Sequence, residues 1–167
     1  ALRVTKAPPS DAVARKLVAL RRVICAAPSY LATHGEPQTP HDLARHCCFG
    51  YRFSDQGVWR LADSQGREIS VPAQHRFQVN NIDCLFEAIL AGHGVGVLPT
   101  YLCGPALARG TLRAILDPFE PVSDLGRYLY ACYMPSRIRV PKVRVFLDEL
   151  EKMLRPVPPW EQADFGA

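Results

Sequence analysis

Val79-Asn80-Asn81-Ile82-Asp83-Cys84-Leu85-Phe86-Glu87-Ala88-Ile89-Leu90-Ala91-Gly92-His93-Gly94-Val95-Gly96-Val97-Leu98-Pro99 is the stretch that decides the fold. Ile82, Leu85, Phe86, Ile89 and Leu90 recur at the spacing of a single helical face. Asn80 and Asn81 stand where an N-cap belongs, and Asp83 places a negative charge in the first turn. Gly92-His93-Gly94 ends the helix. Val95 to Leu98 is a short apolar run stopped by Pro99, which reads as a strand. A helix feeding directly into a strand is the unit of an α/β fold.

The same alternation extends outward. Upstream, His75 to Val79 reads as a strand. Val58 to Ala62 and Glu68 to Val71 read as a hairpin around the turn sequence Asp63-Ser64-Gln65-Gly66. Phe49 to Phe53, Arg22 to Ala27, Val13 to Leu20 and Leu2 to Thr5 are further strands. Pro28 opens a short helix that Gly35 closes. Thr39 and Asp42 frame another, with Pro40 in its first turn. Downstream, Thr100 to Ala108 reads as a helix ending at Gly110. Leu112 to Leu116 and Arg127 to Met134 are strands. Pro141 begins a last helix whose apolar stripe is Val143, Phe146, Leu147, Leu150, Met153 and Leu154, and Pro156, Pro158 and Pro159 stop it.

Composition narrows the function. The chain has 167 residues, of which 48% are hydrophobic, enough for a real core. The net charge of +4 is carried by scattered arginines rather than by one basic stripe, so a nucleic-acid footprint is not indicated. No apolar run is long enough to cross a membrane, and no leader segment is evident. The opening Ala1-Leu2-Arg3-Val4-Thr5 reads as the middle of a strand, which suggests a piece of something longer. The six cysteines, Cys25, Cys47, Cys48, Cys84, Cys103 and Cys132, form no C-x-x-C pair. Most sit in apolar runs, so they are expected as reduced, buried small hydrophobes of a cytoplasmic protein. Neither a metal site nor a cofactor is expected. Gly-x-Ser-x-Gly, H-E-x-x-H and the phosphate-loop motifs are absent, and Gly92-x-Gly94-x-Gly96 follows a helix instead of opening one. A non-enzymatic role is therefore expected.

Three stretches resemble the LysR-type transcriptional regulators. The first is Arg22-Val-Ile-Cys-Ala-Ala-Pro-Ser-Tyr-Leu-Ala-Thr-His-Gly35, followed by Thr39-Pro-His-Asp-Leu-Ala-Arg-His46. The second is Val79 through Pro99, with its Ala-Gly-x-Gly ending. The third is Leu129-Tyr-Ala-Cys-Tyr-Met-Pro-Ser-Arg137, followed by Pro141-Lys-Val-Arg-Val-Phe-Leu-Asp148. The resemblance covers nearly the whole chain in order. It implies an α/β fold of the periplasmic-binding-protein type II kind, with two lobes of mixed sheets around a cleft that takes a small-molecule effector. It also implies an incomplete first lobe (1–13), a second lobe (14–110), a return to the first lobe (111–155) and a flexible tail (156–167). The intact regulator would be a homo-oligomer, dimer or tetramer, and would meet DNA through an N-terminal domain preceding Ala1. The partial lobe would expose apolar surface and favour self-association.

Several residues are candidate ligand contacts. Asn80 and Asn81 sit at a helix start, where free N–H groups and the positive dipole end suit a carboxylate, which points to a small organic acid. Plain capping is the competing reading. Thr5 and Lys6 end a strand, the usual place for ligands on open α/β sheets, though an ordinary loop fits too. Tyr51 lines either the cleft or the core. Val95 and Gly96 permit close approach of either a ligand or a packed neighbour. His93 reads as a helix terminator, and His34, His41, His46 and His75 as surface or capping residues. Two other functions share the implied scaffold: a solute-binding protein of a transport system, which a secretory leader would mark, and an enzyme, which turnover of an acid or ester would mark.

Overall fold

The computed structural model describes residues 1–53, 57–73, 75–137 and 140–161. Contacts divide them into two compact units. Among them one is continuous, Arg21–Asp124; the other joins Ala1–Leu20 to the described residues of 125–161.

The continuous unit is built on a five-stranded mixed sheet. Its strands are β3 (Arg22–Ala26), β4 (Cys48–Tyr51), β7 (His75–Val79), β8 (Val95–Pro99) and β9 (Arg113–Ile115), in the order β7-β4-β8-β3-β9. β4 runs parallel to both β7 and β8, while β3 is antiparallel to β8 and β9. Side chains of β3 alternate between the two faces, as a strand requires. Val23, Cys25 and Ala27 pack with Leu85 and Ile89 of helix α2 (Ile82–Leu90) and with Cys103, Ala106 and Leu107 of α3 (Thr100–Ala108). Ile24 and Ala26 pack on the other face with Tyr30 and Leu31 of α1 (Pro28–His34). Against that face also lie Trp59 and Leu61 of β5 (Val58–Ala62) and Val71 of β6 (Glu68–Pro72). β5 and β6 are the expected hairpin, and Asp63 shapes its turn by accepting from the N–H groups of Gln65 (2.8 Å) and Arg67 (2.9 Å). A third strand, β10 (Glu120–Val122), joins β5 and was not anticipated: Glu-Pro-Val has no strand composition of its own.

The expected helix after Thr39 is a 3-10 turn, Pro40–Arg45. The Asp42 carboxylate accepts from the Thr39 N–H at 2.8 Å. That bond, with the Arg45 guanidinium, holds its pKa down at about 2.

In the other unit, β1 (Leu2–Thr5), β11 (Tyr128–Tyr133) and β2 (Val13–Ala19) form an antiparallel sheet in the order β1-β11-β2. Helix α4 (Pro141–Leu154) covers one face through Leu147 and Leu154, which close on Leu17 and Ala131. Arg15 ties β2 to α4 by ion pairs with Asp148 and Glu151. Two expectations change here. Residues 14–20 group with β1 and β11, not with the later strands, because β2 spends its ladder on β11 and its side chain Leu17 on α4. The apolar stripe of α4 is narrower than expected: Val143, Leu147, Leu150 and Leu154 face the sheet, whereas Phe146 and Met153 are more than half exposed (58% and 61%). Of the tail, Pro159–Glu161 is a 3-10 turn and Trp160 packs on the same cluster; the rest lies outside the described residues.

Candidate functional site

β7, β4 and β8 run in one direction, so their C-terminal ends share one edge of the five-stranded sheet. Loops at such an edge are where an open α/β sheet offers backbone and side chains to a ligand. β4 ends in Tyr51, which lies beside Val79, the end of β7; the Arg52 N–H continues the ladder to the Val79 carbonyl at 2.9 Å. Asn80 and Asn81 follow at once. β8 ends in Pro99, next to Arg22, the first residue of the antiparallel β3. Thr100 is fully buried and donates its hydroxyl to the Arg21 carbonyl at 3.1 Å, fixing the start of α3. Tyr101, 45% exposed, follows on the same edge. Partial burial raises the Tyr101 hydroxyl above the usual phenol range; nearby Arg22 opposes this, while Tyr51 and Asp83 add to it. Arg22, Tyr51 and Asp83 therefore each lie near enough to Tyr101 to act on its hydroxyl.

Asn81 is the N-cap of α2. Its Oδ1 accepts from the N–H groups of Asp83 (2.8 Å) and Cys84 (3.4 Å). Two of the helix's free donors are thus already satisfied, and the Asp83 carboxylate adds a negative charge in the first turn. Asn80 is exposed beside it. Tyr51 is half-buried, with its ring edge-on to that of exposed Phe53 at 5.5 Å.

Val95 and Gly96 lie at the opposite end of β8. Val95 pairs with Cys48, the first residue of β4, and is fully buried. A Cβ on Gly96 would come within 2.1 Å of the Ile89 Cδ1, so this glycine exists to seat α2 on the sheet. The packed-neighbour reading is the one that fits both residues, and they do not share the edge of Tyr51 and Asn81.

Thr5 and Lys6 belong to the other unit. The Thr5 hydroxyl donates to the Ala7 carbonyl (2.8 Å) and accepts from the Ala7 N–H (3.3 Å), closing a turn on itself. Lys6 is exposed. Gly126, at φ 98°, lies so close that a Cβ there would meet the Thr5 carbonyl at 2.4 Å and the Lys6 nitrogen at 2.7 Å. The sequence reading missed Gly126, Tyr101 and Arg22. The strand-end rule that picked Thr5 and Lys6 applies equally to Tyr101, just past the end of β8; Gly126 carried no signal, since its neighbour is distant in sequence.

Of the histidines, His93 is exposed at the end of α2 and its N–H reaches the Ala88 carbonyl at 3.2 Å, as a terminator does. His34 stacks on Tyr30 with centroids 4.3 Å apart. His46 is only half-exposed and its Nδ1 lies 3.2 Å from the Tyr30 hydroxyl. The same hydroxyl accepts from the Cys47 N–H at 2.9 Å, and a neutral His46 with an unprotonated Nδ1 can accept its proton. Burial, chiefly, and His34 push the His46 pKa below its ordinary value. The side chain of His75 lies outside those described. Among the described residues, no group of three or more His, Cys, Asp or Glu is placed to hold a metal ion. No helix among them is long and apolar enough to cross a membrane.

The family model described as LysR substrate binding domain matches residues 1–155. The probable regulator LtrA of Klebsiella pneumoniae is 28% identical over 153 residues, 91% of this chain and 49% of its own length. The regulator CrgA of Neisseria meningitidis is 32% identical over 157 residues, 92% of this chain and 50% of its own. Among solved structures, full-length AphB, the Vibrio cholerae virulence activator, superposes with a TM-score of 0.76 at 27% identity, over 90% of this chain and 50% of its own. The CrgA regulatory domain superposes with a TM-score of 0.72 at 29% identity, over 92% of this chain and 74% of its own. The chain spans about half the length of the curated relatives it matches. With a mixed α/β architecture of the periplasmic-binding-protein type II kind, the chain belongs to the LysR substrate binding domain family, the effector-binding part of LysR-type regulators.

Proposed function

We propose that this domain senses a small metabolite for a LysR-type, DNA-binding transcriptional regulator, and that the effector is held at the sheet edge of Tyr51, Asn80, Asn81 and Tyr101. The observation that carries this reading is the convergence of three parallel strand ends on that edge, in a chain of this family. Thr5 and Lys6, at a strand end of the other unit, are proposed as ligand contacts of that unit taken by itself. Binding requires no chemistry, so the reading needs no nucleophile or base, and the relatives' names are those of regulators.

The effector class proposed is a small organic acid. Arg22, near Tyr101, and exposed Arg52, after Tyr51, bring positive charge to this edge, and the α2 dipole adds to it. Asp83 and the Asn81 cap work against both, so the edge also suits an effector whose head group donates and accepts hydrogen bonds without full charge. In the intact protein, the bound state would shift a pre-existing equilibrium between conformations that favour different subunit and DNA arrangements. The whole regulator is proposed to be a cytoplasmic homo-oligomer of two or four subunits that contacts DNA outside this domain.

A thermal-shift series tests the reading. Small carboxylic acids and their neutral amides are compared on the same chain. A ligand at about a hundred times its dissociation constant stabilises by ~2.7 kcal/mol, or roughly 2–4 °C in a domain of this size class. A saturable shift with the acids, reduced in Arg22→Gln, supports the acid reading. A shift with amides alone transfers the proposal to a neutral effector. No shift across the panel contradicts the site.

A further inference from the structure

We propose that the open edge of β1 and the apolar groove beside it dock a second copy of this chain, so that two β1 strands pair about a two-fold axis. In the sheet order β1-β11-β2, β1 pairs with β11 alone. The Cys132 N–H donates to the Ala1 carbonyl at 2.8 Å, and the Ala1 nitrogen donates to the Cys132 carbonyl at 2.7 Å. Residues that bond inward and outward alternate along an antiparallel ladder. Arg3 and Thr5 therefore spend their backbone groups on β11, and the N–H and C=O of Leu2 and Val4 point to the open edge. The inference concerns this unit by itself and does not rest on the effector site.

The side chains at the edge are apolar and uncovered. Leu2 and Val4 lie opposite Ala131 and Leu129, on the face of the sheet that carries α4. Leu2, Met134, Lys142, Phe146 and Leu147 line a groove of about 680 Å³. Leu2, Val4, Met134 and Phe146 are exposed. Met153, two turns on from Phe146, is exposed on the same flank of α4. An unpaired strand edge with apolar side chains beside it is a template for another strand.

The edge is complementary to itself, which selects a second copy as the occupant. Turned about a two-fold axis, each outward N–H meets an outward carbonyl of the same strand in the other copy. A register with Val4 facing Val4 of the second copy sets Arg3 opposite Thr5, so no arginine faces its like. Charge on α4 agrees with this symmetry. The helix begins at the Ala1 end of β1, where Lys142 shares the groove with Ala1 and Leu2. The two-fold axis thus sets two α4 helices antiparallel over one continuous sheet. The basic start of each, Lys142 and Arg144, then runs alongside the acidic stretch Asp148, Glu149 and Glu151 of the other. Lys142 has no carboxylate partner among the described residues of its own chain.

Analytical ultracentrifugation of the 167-residue chain over a concentration series, with residue-resolved amide exchange, tests the pairing. The expected result is a saturable monomer–dimer transition. Exchange at Leu2 and Val4 should slow as dimer forms, and exchange at Arg3 and Thr5, already bonded to β11, should change less. Val4→Pro removes an outward N–H from an edge strand and should abolish the dimer. Phe146→Ala, near neutral for the fold of the single chain, should weaken association by about tenfold or more. Lys16→Glu, on the face away from α4, should leave it unchanged. Circular dichroism melts at monomer concentrations check that the variants fold; should Val4→Pro fail that check, Phe146→Ala and the exchange pattern decide. A single-chain mass at every concentration, a dimer indifferent to Phe146→Ala, or unslowed exchange at Leu2 and Val4 would overturn the proposal.

Discussion

Single residues at the α2–β8 junction decide how closely helix and sheet approach. A Cβ on Gly94 would fall 2.3 Å from the Cys47 carbonyl oxygen and 2.6 Å from the Phe49 ring. Backbone cannot step aside as a side chain can, so Gly94→Ala is expected to cost ~1–3 kcal/mol or more. Gly96→Ala meets instead the terminal methyl of Ile89. Ile89→Val removes that methyl, and the double variant should be less damaged than the sum of the singles; additive losses in denaturant titrations would contradict this packing. His46 gives the residue scale a pH dependence. Its folded pKa is lowered from 6.5, so its stabilising contribution is complete above that value and fades as pH falls below it. Between about pH 7.5 and about pH 5.5, the wild type should lose more melting temperature than His46→Gln. Equal losses would show that the Tyr30–His46 bond does not matter to stability.

Elements show where sequence periodicity was enough and where it was not. α2 was legible in full: five apolar residues on one face, a capping asparagine and a glycine stop each have a local cause, and Asn81 caps as its position dictates. Loss of that cap in Asn81→Ala should cost ~1 kcal/mol, with Asn81→Asp close to neutral, checked by thermal unfolding. The α4 stripe was overread, because a heptad-like pattern does not say how wide a sheet lies beneath it. Only Val143, Leu147, Leu150 and Leu154 find cover. Leu147→Ala is accordingly expected to cost ~2–5 kcal/mol, and Phe146→Ala within about 0.5 kcal/mol of zero. Tyr51 and Asn81 were picked for separate reasons, and the parallel pairing of β4 with β7 brings their strand ends side by side. The sequence could not separate Gly96 from them, because the edge on which each end of β8 lies depends on pairing partners distant in sequence.

At the scale of the molecule, the partition into units follows from where the cores are drawn. Both clusters of the five-stranded sheet are supplied wholly by residues between Arg21 and Asp124. That segment, expressed alone, should unfold cooperatively; a broad, non-cooperative melt would contradict its independence. The flanking unit needs two distant segments, β1 and β2 from one and β11 and α4 from the other, to close its single cluster. The central functional claim, an effector held at the joint end of β4, β7 and β8, is tested most directly by backbone-amide NMR during titration with an acid that gives a thermal shift. The account predicts saturable shifts concentrated at Tyr51 and Arg52, at Asn80 through Asp83, and at Thr100 and Tyr101. Shifts confined to the opposite end of the sheet, around Gly94 to Gly96, or to the hairpin β5–β6, would contradict it.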